Sequence, residues 1–65
     1  MGESDTFRWI GEHEVAEITG LSLSTLRNYR WLGCGLPFYK VGRSVRYRLD
    51  EVYEYMESKR VEVRP

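Results

Sequence analysis

The sequence predicts a mainly α-helical α+β fold with a small β-hairpin, in the order helix, turn, helix, hairpin, helix. Three observations predict it: two short segments with helical apolar spacing meet at a glycine, an alternating segment surrounds another glycine, and a last segment returns to helical spacing. A chain of 65 residues has room for one domain. We expect this domain at 9–59, between a mobile N-terminal tail at 1–8 and a C-terminal tail at 60–65.

The first predicted helix is short and ends at Gly20. Ile10, Val15 and Ile18 form an apolar stripe at roughly helical spacing, which predicts a helix through 11–19. Glycine adopts the left-handed conformation of a helix cap without steric cost, so Gly20 is suited to end this helix. A second helix can therefore begin within a few residues.

Ser22 marks the predicted start of that second helix, which extends from 23 to about 32. Its hydroxyl can accept a hydrogen bond from an amide in the first turn. Leu26 lies on one side of the helix, whereas Arg27 and Asn28 lie on the other. Two short helices joined by a glycine-containing turn form a helix-turn-helix.

Two predicted strands with alternating side chains, 39–41 and 45–49, flank a turn at 42–44. One face is predicted to carry the apolar side chains Tyr39, Val41, Val45, Tyr47 and Leu49. The opposite face is predicted to carry the cations Lys40, Arg46 and Arg48. Because an isolated hairpin is unstable in water, its apolar face should rest on the helices. The hairpin is then a wing, and the expected architecture is a winged helix-turn-helix.

The last predicted helix begins at Asp50, whose carboxylate can cap the first turn. Val52, Tyr55 and Met56 recur at helical spacing and give this helix one apolar side. The predicted core comprises Ile10, Val15, Ile18, Leu21, Leu26, Leu36, Val41, Val45, Tyr47, Leu49, Val52, Tyr55 and Met56.

Charge is segregated along the chain although the formal net charge is zero. Residues 1–22 carry a net charge of −4, residues 50–65 carry −2, and residues 23–49 carry +6 without a single acidic side chain. A continuous basic segment is typical of a surface that binds a polyanion. The alternative is a solvated basic surface that has no partner.

Residue types that support catalysis or metal binding are sparse. His13 and Cys34 are the only histidine and cysteine, and neither has a partner at metal-ligand spacing. No glycine-rich phosphate loop or nucleophile motif is present, so we expect no enzyme activity, cofactor, metal or small-molecule substrate. The apolar runs fall far short of the roughly 20 residues that cross a bilayer, and a lone cysteine fits the reducing cytoplasm.

The second helix carries the first set of predicted contacts to DNA, because the second helix of a helix-turn-helix enters the major groove with its N-terminal half against the base edges. These residues are Ser24, Thr25, Arg27, Asn28, Tyr29 and Arg30. Arginine can bind guanine through two hydrogen bonds, and asparagine can bind adenine in the same way. Helix capping is the alternative for Ser24 and Thr25, and core packing is favoured over a phosphate contact for Tyr29. The position of Trp31 is not predicted.

The wing carries the other predicted contacts, which are Lys40, Arg43, Ser44, Arg46 and Arg48. Arg43 lies at the tip, where it can reach a narrow and strongly negative minor groove. Arg46 and Arg48 are expected to contact phosphates, which orient a protein without reading sequence. The alternative is that these cations only protect the edge of the hairpin.

Two runs of the sequence resemble the small excisionase-type domains of the MerR-like winged-helix superfamily: SLSTLRNY at 22–29 and GLPFYKVGRSVRYRLDEV at 35–52. The ordered series Gly-Leu-Pro, Lys-Val-Gly-Arg and Val-Arg-Tyr-Arg, followed by an aspartate-capped helix, is specific at this spacing. The resemblance covers roughly 9–58, which is most of the chain.

This resemblance implies a role in DNA recombination. Excisionases are recombination directionality factors of phages and integrative elements, and they bind short repeats beside an attachment site, often as several adjacent protomers. They bend the DNA, which favours excision by the partner integrase. Double-stranded DNA, a site-specific recombinase and neighbouring protomers are therefore the expected partners. The positions that carry over are Ser24, Thr25, Arg27 and Asn28 in the second helix and Lys40, Arg43, Arg46 and Arg48 in the wing.

Other functions are compatible with the same features. A small transcriptional regulator of the same superfamily would share the fold and the DNA contacts. The DNA-binding module of a packaging terminase small subunit is related, but the chain ends before an assembly region. A protein-interaction domain that has lost DNA binding would instead use the acidic outer helices and Trp31.

Overall fold

The structure, a computed structural model, describes residues 8–63. Its elements are β1 (Trp9–Ile10), α1 (Glu12–Thr19), α2 (Leu23–Leu32), β2 (Tyr39–Val41), β3 (Ser44–Arg48) and α3 (Leu49–Ser58). The predicted α+β class and the order of helices and hairpin are confirmed. Most of the predicted N-terminal tail, and the last two residues of the predicted C-terminal tail, lie outside the described residues. Within 8–63, no helix has the length and apolar character needed to span a membrane.

The turn between α1 and α2 is held by the local contacts that its sequence predicts. Gly20 has φ 79°, and its amide donates to the Ala16 carbonyl oxygen at 2.8 Å. The Ser22 hydroxyl oxygen accepts a hydrogen bond from the Thr25 amide at 3.1 Å. Both contacts span only three or four residues, so they set where α1 ends and α2 begins largely independently of the rest of the fold.

The sheet has three antiparallel strands in the order β1-β3-β2, one more than the predicted hairpin. Ile10, which the helical spacing assigns to the apolar stripe of the first helix, lies instead in β1 and pairs with Tyr47. A two-residue strand is too short to show alternation, so the sequence pattern contains no signal for β1. Ile10 is nevertheless buried, because the sheet packs against the helices at this position.

The hairpin turn contains two residues, 42–43, rather than the three that were predicted. The register pairs Tyr39 with Arg46, Lys40 with Val45, and Val41 with Ser44. Residues directly opposite one another share a face, so Lys40 shares the inner, core-facing side of the sheet with Val45 and Tyr47. The predicted faces are therefore wrong for β2, since a shift of one residue in the turn moves every side chain of a strand to the other face.

The core consists of seven buried apolar side chains within the described residues: Ile10, Val15, Leu26, Leu36, Tyr47, Leu49 and Val52. All seven belong to the predicted core, and Ile18, Leu21, Val45 and Tyr55 are half-buried against them. The prediction is wrong for Val41 and Met56, which are 62% and 41% exposed. Val41 lies on the outer face of the sheet. Met56 lies in the second half of α3, whereas the buried residues of this helix, Leu49 and Val52, lie in its first half.

Tyr47 joins the core to α2 through its only polar atom. Its ring is buried, and its hydroxyl accepts a hydrogen bond from Nη1 of Arg30 at 2.8 Å. A buried phenol requires such a partner, and the bond is charge-assisted. The contact fixes the C-terminal half of α2 against β3, and with it the spacing between the second helix and the wing.

Gly35 lies where any side chain would meet the ring of Tyr29. Its φ is +81°, and a Cβ atom added there would lie 2.6 Å from Cδ2 of Tyr29. Gly33 has a similar φ of +72° with open space around it. We therefore expect Gly33→Ala to destabilise the protein by about 1–2 kcal/mol from backbone strain alone. Gly35→Ala should cost about 1–3 kcal/mol more through overpacking, as measured by urea unfolding. Equal losses in the two variants would show that the Tyr29 ring moves aside freely.

Candidate nucleic-acid interface

The exposed side of α2 carries a stripe of four residues along its length: Ser24, Arg27, Asn28 and Trp31. They recur at intervals of three or four residues, so they project from one side of the helix. Trp31 is 86% exposed, which answers the question of its position that the sequence leaves open. The opposite side of α2 faces the core through Leu26. The helix thus presents one polar and cationic surface that ends in an exposed indole.

Three other residues predicted to contact DNA make contacts within the protein. Thr25 takes part in the N-terminal cap of α2, as its amide and hydroxyl both bond to the hydroxyl of Ser22. Tyr29 is half-buried beside Gly35. Arg30 is also half-buried, and its guanidinium lies over the Phe38 ring at 5.9 Å from the centroid. These contacts indicate that the three residues hold α2 in place within the protein. Direct DNA contacts by them stay a prediction.

Glu12, in the first turn of α1, reaches the cations of α2. Its Oε2 accepts a hydrogen bond from Nη2 of Arg27 at 2.6 Å, and its Oε1 accepts one from Nε of Arg27 at 3.3 Å. Nη2 of Arg30 also donates to Oε1, at 3.2 Å. Hydrogen bonding from Arg27 lowers the pKa of the Glu12 carboxyl below its ordinary value, against the opposing effect of burial. The segregation of charge along the sequence does not predict this contact.

The tip of the wing and both of its strands carry cations that have no acidic partner among residues 8–63. Lys40, Arg43 and Arg46 are all exposed, and none forms an ion pair within that part of the chain. The Arg46 guanidinium donates through Nη1 to the Val45 carbonyl oxygen at 2.9 Å. Ser44, at the start of β3, is exposed as well. These side chains retain their positive charge for an external anion.

Arg48 differs from the other wing cations. It is half-buried, and it donates through Nε and Nη2 to the two carboxylate oxygens of Asp50 at 3.1 and 2.8 Å. The pair with Asp50 therefore links β3 to α3, and the predicted phosphate contact of Arg48 stays a prediction. On the same outer face of the sheet, the rings of Trp9 and Tyr39 meet edge-to-face, with their centroids 4.9 Å apart.

Two adjoining clefts separate α2 from the wing, and we refer to them together as the basic groove. One is lined by Gly11, Glu12, His13, Arg30, Arg43, Val45 and Arg46, and the other by Arg27, Arg30, Trp31, Phe38, Lys40 and Val45. Arg30 and Val45 line both clefts, so the two adjoin. The groove includes five of the six cations of the basic segment 23–49, and only Arg48 lies outside it. Folding therefore brings the cations of α2 beside cations of the wing, although the register sets Lys40 and Arg46 on opposite faces of the sheet.

Comparison with protein families places most of this chain in a known class. Residues 13–60 match the family of helix-turn-helix domains, a DNA-binding family that includes excisionase-like proteins and is typically non-catalytic. The comparison with curated proteins found no match, and neither did the comparison with solved structures. The family supports sequence-specific binding to double-stranded DNA. Because the match extends from the second residue of α1 to beyond the end of α3, this chain belongs to the helix-turn-helix domain family.

Proposed function

We propose that this protein is a cytoplasmic, MerR-like recombination directionality factor of the excisionase type. It binds repeated sites beside an attachment site, bends the DNA and directs a site-specific integrase toward excision. The observation that carries the proposal is the basic groove, which unites the cations of α2 with those of the wing. The ordered sequence series from Gly35 to Val52, which resembles that of excisionases, supports the finer assignment.

The second helix supplies the sequence-reading contacts in this proposal. Ser24, Arg27 and Asn28 project from α2 toward solvent, and no carboxylate lies on this helix. Docking of α2 in the major groove would place the guanidinium of Arg27 against guanine and the amide of Asn28 against adenine. Trp31, at the far end of the same stripe, would then lie at the edge of the contact.

The wing supplies the contacts that orient the protein on the duplex. Arg43 lies in the two-residue turn of the hairpin, which is the part of the wing best placed to enter the minor groove. Lys40, Ser44 and Arg46 would contact phosphates along the adjoining strands. A phosphate contact by Arg48 would compete with its bidentate pair to Asp50, so we assign it a smaller share of the affinity.

DNA binding through the basic groove should depend steeply on salt. Each neutralised phosphate releases counterion, so three or four phosphate contacts would make log K fall with log salt at a slope of roughly −3 to −4. Fluorescence anisotropy of a labelled duplex, measured over a range of KCl concentrations, gives this slope. Absence of measurable affinity at low salt would contradict DNA binding and favour a protein-interaction domain.

The excisionase role requires a second measurement. A purified integrase from the same genome, with DNA that carries both attachment-site products, should excise only when this protein is added. Gel mobility of circularly permuted fragments should show that the bound DNA is bent. Binding at a promoter, combined with no effect on excision, would favour a small transcriptional regulator instead.

A further inference from the structure

We propose that Glu12 is a specificity-determining residue, because it holds Arg27 in position for a base and makes the groove less attractive to phosphate. The inference rests on the proposed DNA-binding function. Glu12 itself is not expected to contact DNA. It acts through Arg27 and is therefore a positioning residue.

The geometry of the pair leaves one edge of the Arg27 guanidinium, formed by Nη1 and Nη2, available for a base. Glu12 accepts hydrogen bonds from Nε and Nη2 of Arg27. A guanidinium has five N–H donors, so the edge formed by Nη1 and Nη2 can still donate two parallel bonds. Guanine presents two adjacent acceptors in the major groove that match this edge. The Arg27 side chain is 56% exposed while that of Glu12 is only 19% exposed, so the carboxylate lies behind the arginine rather than in front of it.

The pair also limits the freedom of Arg27. An arginine side chain loses rotamer entropy when it is ordered, and the two hydrogen bonds to Glu12 already restrict the rotamers of Arg27 in the free protein. Arg30 donates to the same carboxylate and to Tyr47, which anchors Glu12 from the core side. A base whose acceptors match the position of the Arg27 guanidinium binds a side chain that is already ordered. A base that does not match can bind Arg27 only if the ion pair between Arg27 and Glu12 is broken.

The negative charge of Glu12 lowers the non-specific affinity of the groove for DNA. Within residues 8–63, Glu12 is the only carboxylate that lines the basic groove. Non-specific affinity depends on the number of phosphates that cations neutralise, and Glu12 offsets part of the charge of Arg27 and Arg30. The low pKa of Glu12 keeps this carboxylate ionised at neutral pH. Positioning and charge therefore both raise the ratio of specific to non-specific affinity.

Glu12→Gln tests the inference because it removes the charge with little change in shape. The specific probe is the duplex that the wild-type protein enriches from a randomised library, and the non-specific probe is a shuffled duplex of the same composition. We expect the ratio of the two affinities to fall by roughly five- to tenfold. The salt slope on the shuffled duplex should become steeper by about one unit.

Glu14→Gln is the matched control, since Glu14 lies in the same first turn but pairs with Arg8, away from α2. It should change both affinities alike and leave their ratio unchanged. In an Arg27→Ala background, Glu12→Gln should alter the ratio less than it does in the wild-type protein, because the positioned group is gone and only the offset of the Arg30 charge remains. Urea unfolding of each variant identifies any loss of folded protein.

Each outcome has a separate meaning. An unchanged ratio in Glu12→Gln, with wild-type binding intact, overturns the role of Glu12 and leaves the proposed function in place. An equal fall of the ratio in Glu14→Gln also overturns it, since the effect would then come from net charge alone. If the wild-type protein enriches no duplex and binds none at low salt, the proposed function fails.

Discussion

Leu26→Ala is expected to lower the free energy of unfolding by about 2–5 kcal/mol, the range for loss of a fully buried leucine. Leu26 is 1% exposed and is the buried residue of α2. Its side chain belongs to the cluster that joins this helix to α1, the sheet and α3. A domain of this size typically has a total stability of roughly 3–10 kcal/mol. The substitution should therefore remove a large part of the total stability and lower the urea midpoint of unfolding.

Leu32→Ala is the matched control, as it makes the same chemical change on the same helix. Leu32 is 63% exposed, so its loss should alter stability by no more than about 0.5 kcal/mol. Urea unfolding followed by far-ultraviolet circular dichroism measures both variants. Similar losses in the two variants would mean that α2 does not pack on the core through Leu26.

Asn28→Ala is expected to weaken binding to the preferred DNA site by about 1–3 kcal/mol and to relax preference at one base pair. Asn28 is exposed on the outward stripe of α2, where its amide has one donor and one acceptor available for adenine. Loss of a base contact should leave affinity for unrelated sequences unchanged. Competition against duplexes that vary one base pair at a time gives the preference at each position.

Arg46→Ala provides the contrast, because Arg46 belongs to the wing rather than to α2. Arg46 lines the basic groove from the wing, where we assign it to phosphate. Its loss should weaken binding to all sequences about equally and reduce the salt slope by about one unit. A loss of affinity for only one DNA sequence in Arg46→Ala would contradict its assignment to phosphate. An equal loss of affinity for all sequences in Asn28→Ala would contradict its assignment to a base.

Much of the fold could be predicted because short segments specify it. The Ser22 cap and the Gly20 terminus depend on hydrogen bonds to residues three or four positions away, so the boundary between α1 and α2 can be predicted from the sequence. Helical spacing likewise separates the buried Leu26 from the exposed Arg27 and Asn28. Helical spacing also places Val15 and Val52 in the predicted core, and both are buried.

The sheet shows where local pattern is insufficient. Trp9 and Ile10 form a strand only because β3 offers them a partner, and two residues have no period of their own. The faces of β2 depend on whether the hairpin turn has two or three residues, and Gly42-Arg43-Ser44 is compatible with both lengths. The resulting register places Lys40 on the side of Val45 and Val41 on the outer face, which alternation alone assigned the other way round.

Caps, periodicity and charge are properties of neighbouring residues, so they are sufficient to predict the helix-turn-helix, the wing and the continuous basic segment. Which of those charges are paired depends on the folded arrangement of the elements. Glu12 is 15 residues from Arg27 and 18 from Arg30, so their contact exists only after α1 packs against α2. Arg48 and Asp50 are two residues apart, yet their pairing depends on the bend between β3 and α3. Electrostatic partners are set by distance in space, and chain order does not specify that distance until the core has formed.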